Sequence, residues 1–477
     1  MTAPAPKPPT RKPGLLLPAW LSPATPQTQR RIARARLPAA QRALTILAGL
    51  LVLITAGTFV LFLPISGARG QGLALNQALF TTVSAVTGTG LSIITPATDL
   101  SFFGQIVLMA LMEVGGLGFM LTAIVIFRLL GRRVTLAERL TLRDSLGLPN
   151  NRDLLQLSLF VLAGVLIIEA SGALLLWLLW LDEFPFWWAG YYAAFHAVAA
   201  FTNAGFDLFA GSPRAVNGPP QDIGTLTVVA TLIFLGSIGL PVISDVLQWR
   251  RRRMLSLHSR VTLWTSAGLI LFGAVAFFLG ELGPASEFAD ASRIDLLAGS
   301  IYFSVAARSA GLVLHPAYVH LSEANLVVGT ALMFVGASPS GMGGGITTSA
   351  LAVQLLSVWN YARGRNNLRA GRRVIPKEAL RKASIVITAS FLVNFLVTWL
   401  LLLTQQATFQ EALFESVSAF GTVGFSLGLT SRLDLFGQTL LMLLMFWGRL
   451  GALTIIVALA QPRVPERVGY PEESILL

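Results

Sequence analysis

The sequence predicts an all-α integral membrane protein: four membrane–pore–membrane repeats, with eight transmembrane helices and four re-entrant pore helices in a pseudo-fourfold arrangement around one pore. Three observations carry that fold class. Apolar residues make up 54% of the 477 and the mean hydropathy is +0.69, while only 12% are charged, about half the ~25% of a soluble domain. Apolar runs of membrane length recur along the chain. A short glycine-centred stretch returns four times between them.

The spans come first. Crossing a bilayer takes roughly 20 apolar residues. The candidates run about 43–65, 103–130, 154–181, 223–248, 260–280, 325–358, 383–404 and 435–461. The first is too long for a signal-peptide core and follows a polar stretch, so it reads as an anchor. Before it, "MTAPAPKPPTRKPG" opens a Pro-rich tail with the composition of disorder.

Charge sets the orientation. The segments after spans one, three, five and seven hold five arginines, no lysine, and 13 of the 23 acids. The opposite side carries "RRIARAR", "RRRR" (250–253) and "RGRNNLRAGRRVIPKEALRK". The positive-inside rule makes those clusters cytoplasmic, with both termini inside. Their simplest role is topology and contact with lipid headgroups. A net charge of +12 confined to such blocks argues against a nucleic-acid partner, which would need it on one soluble face. With no cysteine and four scattered histidines, thiolate metal sites are excluded and a histidine cluster is poorly supplied.

The repeat is the strongest signal. "AVTGTGL", "AFTNAGF", "AARSAGL" and "AFGTVGF" align on Gly90, Gly205, Gly311 and Gly424, spaced 115, 106 and 113 residues apart. A second glycine, Gly115, Gly236, Gly336 or Gly448, follows each by 25, 31, 25 and 24 residues. The apolar segment before each loop, such as 75–86, is too short to cross and suits a re-entrant helix. Repeat boundaries fall at 41–131, 132–253, 254–374 and 375–462, between tails 1–40 and 463–477.

Non-helical backbone survives at membrane depth only against protein or a wet cavity. One such loop alone reads as a small-residue packing device. Four in register, each after a short helix on the outer side, read as a ring of backbone carbonyls that replaces the water shell of a cation. Glycine reaches the required φ/ψ at little steric cost. The expected ion-binding positions are Thr87, Gly88, Thr89 and Gly90; Thr202, Asn203, Ala204 and Gly205; Ser309, Ala310 and Gly311; Thr422, Val423 and Gly424. No acid lies within these loops, which favours a large monovalent ion over Ca²⁺ or Mg²⁺. The outer segments, net −8, would concentrate cations at the mouth. His196 and Arg308 read as loop braces.

These residues resemble the Trk/Ktr/HKT potassium transporter superfamily, and most of all its Ktr-type membrane subunit. The likeness is carried by "FHAVAAFTNAGFDL", "SVAARSAGL", "SVSAFGTVGFS", "MFWGRLGALT" and "VGYPEESILL". It implies K⁺ uptake across the plasma membrane with K⁺ at the filter carbonyls and no organic cofactor. It also implies Na⁺ as an activator or coupled ion, homodimerisation, and a cytosolic KtrA-type nucleotide-binding ring. Relatives with serine in the first loop tend to pass sodium, so glycine in all four loops implies potassium preference; the alternative is a sodium-selective or Na/K-coupled member.

The resemblance also implies a gate below the filter at 336–348, where "GASPSGMGGGITT" is too glycine-rich for a helix interior. Its glycines are Gly336, Gly341, Gly343, Gly344 and Gly345. Relatives often carry a lysine just after the glycine run, where this chain has Thr347. Arg449, inside an apolar run, reads as a cationic latch near that gate, or else as half of a buried pair with Glu113 or Asp245. Glu113 and Glu169 read as structural. The sixth span is the one expected to break. No nucleophile–base or paired-acid set points to an enzyme, and a carrier of organic solutes would need more broken helices bearing charged ligands.

Overall fold

The apolar runs form helices because backbone N–H and C=O groups in hydrocarbon find no partner outside the chain. The computed structural model describes residues 39–68, 70–118, 154–215, 218–283, 288, 292–314, 321–365, 367–371 and 373–451. The tails, residues 119–153 with the last part of the second candidate span, residues 452–461 of the eighth and the motif "VGYPEESILL" lie outside the described residues. In chain order the helices are α1 (Ala39–Phe62), α2 (Leu75–Thr87), α3 (Phe102–Leu117), α4 (Leu154–Trp180), α5 (Phe186–Phe201), α6 (Ile223–Ser237) and α7 (Leu240–Arg252). Then come α8 (Leu257–Gly280), α9 (Arg293–Ala306), α10 (Glu323–Phe334), α11 (Thr348–Ala362), α12 (Lys377–Thr404), α13 (Phe409–Gly421) and α14 (Leu435–Leu450). A two-rung antiparallel hairpin, β1 (Arg369–Ala370) with β2 (Arg373–Val374), links α11 to α12.

Long and short helices differ in what they face. In α4, α8 and α12 only 22%, 28% and 28% of the apolar span is buried in the protein, and Phe272, Phe391 and Phe395 point outward. The short helices α2, α5, α9 and α13 lie inside. From Phe80 to Thr87 and from Phe414 to Gly421 every residue is buried.

The packing order is cyclic. Each long helix lies on the short helix that follows it: α1 on α2, α4 on α5, α8 on α9, α12 on α13. Helix α3 then contacts α5, α6 contacts α9, α10 contacts α13, and α14 returns to α2. The helices α3, α6, α10 and α14 also start alike. Ser101, Asp222, Ser322 and Asp434 cap them, each side chain accepting the backbone N–H three residues on.

The second set of glycines is explained by these contacts. A Cβ on Gly115 would lie 2.2 Å from the Val86 carbonyl oxygen, one on Gly236 1.9 Å from that of Phe201, and one on Gly448 1.8 Å from that of Phe420. All three carbonyls stand four residues before a loop glycine. Gly336 departs from the pattern, its missing Cβ leaving room for the Gly344 carbonyl at 1.8 Å.

The sixth span breaks as expected, between α10 and α11. The fourth breaks as well, contrary to the sequence expectation, and bends by 102° between α6 and α7. Gly239 sits at the bend with φ +85°, and Gly118 (+86°) and Gly451 (+76°) end α3 and α14. Each stands three residues past its packing glycine. A positive φ cannot continue a right-handed helix, and glycine alone adopts it freely.

Gly448→Ala is expected to destabilise at the upper end of the ~1–3 kcal/mol of an overpacked core, because the new methyl meets backbone rather than a movable side chain. Gly268→Ala in α8, where nothing lies within 4 Å of the new Cβ, should be neutral or stabilising. Melting of the detergent-solubilised proteins compares the two.

Candidate functional site

Four loops leave the C-termini of α2, α5, α9 and α13, and they meet. A Cβ on Gly90 would lie 2.5 Å from the Ala204 oxygen, and one on Gly205 3.2 Å from the Val423 oxygen and 3.4 Å from both Gly311 N and the Thr89 oxygen. One on Gly311 would lie 2.5 Å from Phe425 N, and one on Gly424 2.2 Å from the Thr89 oxygen. Each loop glycine therefore abuts backbone of a neighbouring loop. A Cβ would clash with that backbone at Gly90, Gly311 and Gly424 and press on it at Gly205.

Local geometry explains the turn. Gly88, Asn203 and Thr422 take the left-handed conformation (φ +67°, +56° and +49°) just past the helix ends. Gly90, Gly205 and Gly424 follow at +88°, +67° and +98°. The third loop differs: neither Ser309 nor Gly311 has positive φ, and Gly311 donates its N–H to the Val423 oxygen at 2.5 Å.

Side chains fix the loops from behind. Ser84 Oγ accepts from Gly90 N at 3.0 Å, and Ser418 Oγ accepts from Gly424 N at 3.1 Å. These two serines stand six residues before their glycines in the first and fourth loops, and a sequence comparison alone gave no reason to single them out. Thr87 Oγ1 bonds the Val83 oxygen and Thr89 Oγ1; Thr202 Oγ1 bonds the Val198 oxygen. Asn203 and Ser309 keep buried polar side-chain atoms with no protein partner; Asn203 turns toward Gly236 of α6 and Ser309 toward Gly343. Arg308, expected as a brace, reaches Ser266 of α8 at 3.5 Å.

The segment 335–347 is held against these loops. Ser338 N and Met342 N donate to the Ser237 and Gly236 oxygens at 2.9 Å each, which ties the segment to the broken end of α6. Gly344 N donates to Thr422 Oγ1 at 2.7 Å. Cβ atoms on Gly343 and Gly341 would strike Ser309 Oγ at 2.1 Å and the Ser237 oxygen at 2.5 Å. Gly345 takes φ +80°. Thr347 caps α11, its hydroxyl accepting from Ala350 N.

Arg449 does not pair with Glu113 or Asp245. Its Nη2 donates to the Gly115 and Gly116 oxygens, carbonyls of the last turn of α3, where a cation complements the helix dipole. Its Nη1 has no acceptor and would lie 3.7 Å from a Cβ on Gly88, which the Met342 oxygen flanks at the same distance. Arg449 thus holds the end of α3 and stands beside Gly88 of the first loop. Both Glu113 carboxyl oxygens and Glu169 Oε1 are buried without a hydrogen-bond partner.

At the start of α13, Glu411 pairs with Arg432 and with the N–H and hydroxyl of Thr408. The Thr408 backbone N–H, ahead of the other contacts, holds the Glu411 carboxyl below the ordinary carboxylate range.

Over residues 25–465 the sequence matches the TrkH family, described as a cation transport protein. The chain belongs to the TrkH family. Its members are ion transporters, not enzymes. Among its relatives, Ktr system potassium uptake protein B of Bacillus subtilis is 33% identical over 432 residues, 90% of this chain and 94% of that protein. Potassium/sodium uptake protein NtpJ of Enterococcus hirae is 31% identical over 438 residues, 91% and 96% of the two chains. The crystal structure of the potassium transporter TrkH from Vibrio parahaemolyticus matches with a TM-score of 0.67 at 15% identity, covering 89% of this chain and 85% of that one. That likeness establishes an all-α membrane transporter fold for this TrkH-family chain.

In the TrkH-family chain, Thr422→Val removes the acceptor for Gly344 N and leaves a buried donor unsatisfied, at about 1–3 kcal/mol. Faster amide exchange across 336–347 is expected, with Thr422→Ser behaving like the parent. Equal protection in all three would show that the tether contributes nothing.

Proposed function

We propose that this chain is the ion-translocating subunit of a Ktr-type potassium uptake system in the plasma (cell inner) membrane. The observation that carries the reading is the mutual contact of the four glycine loops. Backbone that approaches backbone so closely can place main-chain oxygens around one ion. In this reading the chain is four membrane–pore–membrane repeats, α2, α5, α9 and α13 are the pore helices, and the loops ending at Gly90, Gly205, Gly311 and Gly424 form the selectivity filter.

A K⁺ ion enters from the acid-rich outer side, exchanges water for carbonyl oxygens in the filter, and meets the 335–347 segment below it. That segment, tied to the fourth loop through Thr422 and to α6 through Ser237, acts as the gate. Arg449 acts as its cationic latch, since its Nη1 faces Gly88 and repels a cation leaving the filter. The inward potential drives passage, at about 2.3 kcal/mol per charge per 100 mV. Both termini lie inside, two copies form the dimer, and a cytosolic KtrA-type nucleotide-binding ring controls the gate from the arginine-rich face, with Na⁺ as activator.

A sodium-selective or Na/K-coupled transporter is the second reading, favoured by the potassium/sodium uptake assigned to NtpJ by name. Glycine in all four loops supports potassium. A Cβ at Gly90 would press on the Ala204 oxygen at 2.5 Å, so a side chain there forces the first and second loops apart.

The expected outcome is restored growth of potassium-deficient cells in low K⁺ when the chain is expressed with a regulatory ring. Gly90→Ser should then raise Na⁺ entry relative to K⁺. Membrane-inserted protein that restores no growth overturns the proposal, and a Gly90→Ser variant with unchanged ion preference supports the sodium reading.

A further inference from the structure

The four short helices place different side chains at one equivalent position, nine residues before each loop glycine. They are Thr81, His196, Tyr302 and Glu415, all buried. Three of them reach past the loop and hold the chain just beyond it. Tyr302 donates its hydroxyl to the Leu312 oxygen at 2.8 Å. His196 bonds the Tyr192 oxygen through Nδ1 at 2.8 Å and sets Nε2 3.1 Å from Asp207 Oδ1 and 3.4 Å from Leu208 N, its ring stacked on Phe209 with centroids 4.2 Å apart. Glu415 accepts from the Ser426 hydroxyl, from Leu427 N at 3.2 Å, and from Thr430 N and Oγ1 at 3.4 and 2.7 Å.

The held residues stand one to three positions after Gly205, Gly311 and Gly424 in every case, except that Glu415 also reaches Thr430. The chemistry differs each time, an imidazole, a phenol and a carboxylate, but the span is the same. Only donors face Glu415, which suits a group that only accepts. In the first repeat the position is empty of this function. The Thr81 hydroxyl is buried without a hydrogen-bond partner, and Ser92, the counterpart of Asp207 and Ser426, turns instead to the Ile94 oxygen at 2.7 Å.

We propose that His196, Tyr302 and Glu415 are positioning residues for ion discrimination, three struts that fix the outer flank of their filter loops, and that the first loop, which lacks one, is where the ring yields. This rests on the proposed filter. A ring of carbonyls rejects the smaller ion only if its oxygens cannot close in on it. Three loops clamped from behind resist that collapse, and the first depends on the Ser84 bond to Gly90 and on its neighbours. None of the struts touches the ion, so they act through the backbone that does.

The test uses the full chain in proteoliposomes, with Rb⁺ and Na⁺ influx measured in parallel. Tyr302→Phe deletes only a hydroxyl, and Glu415→Gln keeps shape while turning an amide donor toward N–H groups. Each is expected to lower the Rb⁺-to-Na⁺ flux ratio by about tenfold, the weight of one strong hydrogen bond, with maximal Rb⁺ influx within about twofold of the parent on the same reasoning. Thr81→Val, at the equivalent buried position but with no bond to lose, should leave the ratio unchanged. If Glu415→Gln fails to insert, Tyr302→Phe against Thr81→Val decides. The proposal is overturned if the ratio holds in the strut variants, or if Thr81→Val lowers it as much as they do. A parent protein that carries no Rb⁺ at all would instead overturn the potassium function.

Discussion

Main-chain atoms meeting main-chain atoms is the constraint on which this structure depends. Inside a membrane a bare peptide group costs several kcal/mol unless something bonds it or a wet cavity receives it. Four loops that leave their helices at that depth can be accommodated only by one another, by hydroxyls behind them and by the space they enclose. That is why Gly90 abuts Ala204, Gly311 abuts Phe425 and Gly424 abuts Thr89. It is also why the surrounding helices carry glycine where they cross the short ones. At Gly115, Gly236 and Gly448 an ordinary side chain would push a helix off the carbonyl that ends α2, α5 or α13, and the loop beyond would lose its seat.

The same register then interrupts the spans. Gly118, Gly239 and Gly451 stand three residues after the packing glycines. A helix pressed against a short helix by one glycine is released from helical geometry by the next, one turn further in. The 102° bend after α6 shows how far the chain can go, and the broken end supplies the carbonyls of Gly236 and Ser237 that hold the 335–347 segment. The two breaks are thus one assembly, because peptide groups exposed by the first are satisfied by the second.

Apolar length and glycine spacing were legible in the sequence because both are repeated local properties. They placed the spans, the short segments and both glycine sets. The break at Gly239 was not legible, since "LGSIGLPV" is one glycine pair in an apolar run, and whether it bends depends on what lies opposite. The partner of Arg449 was missed for a related reason: a search for side chains of opposite charge overlooks the carbonyls at the end of α3, which carry no sequence signature. Ser84, Ser418 and Glu415 look like ordinary members of a short helix until the chain beyond the loop folds back over them. The same fold-back gives His196 a purpose, as a support for the Asp207 flank of its loop.

The third stretch, α8 to α11, shows where the likeness among the four loops stops. Its loop lacks the positive φ of the others, its glycine bonds directly to the fourth loop, and its Gly336 makes room for Gly344 rather than for the preceding short helix. These departures belong together. The span that breaks after α10 does not pack along α9 as α3, α6 and α14 pack along α2, α5 and α13, and α9 is left chiefly with its contacts to α8 and α6. The third loop then draws support sideways from Val423 rather than from the span below it. An ion ring backed on every side by the same helix would have no room for a moving part. Under the proposed function, replacing one of four equivalent supports with the 335–347 segment lets a gate sit directly against Ser309 and Thr422 while the other three supports keep the ring in place.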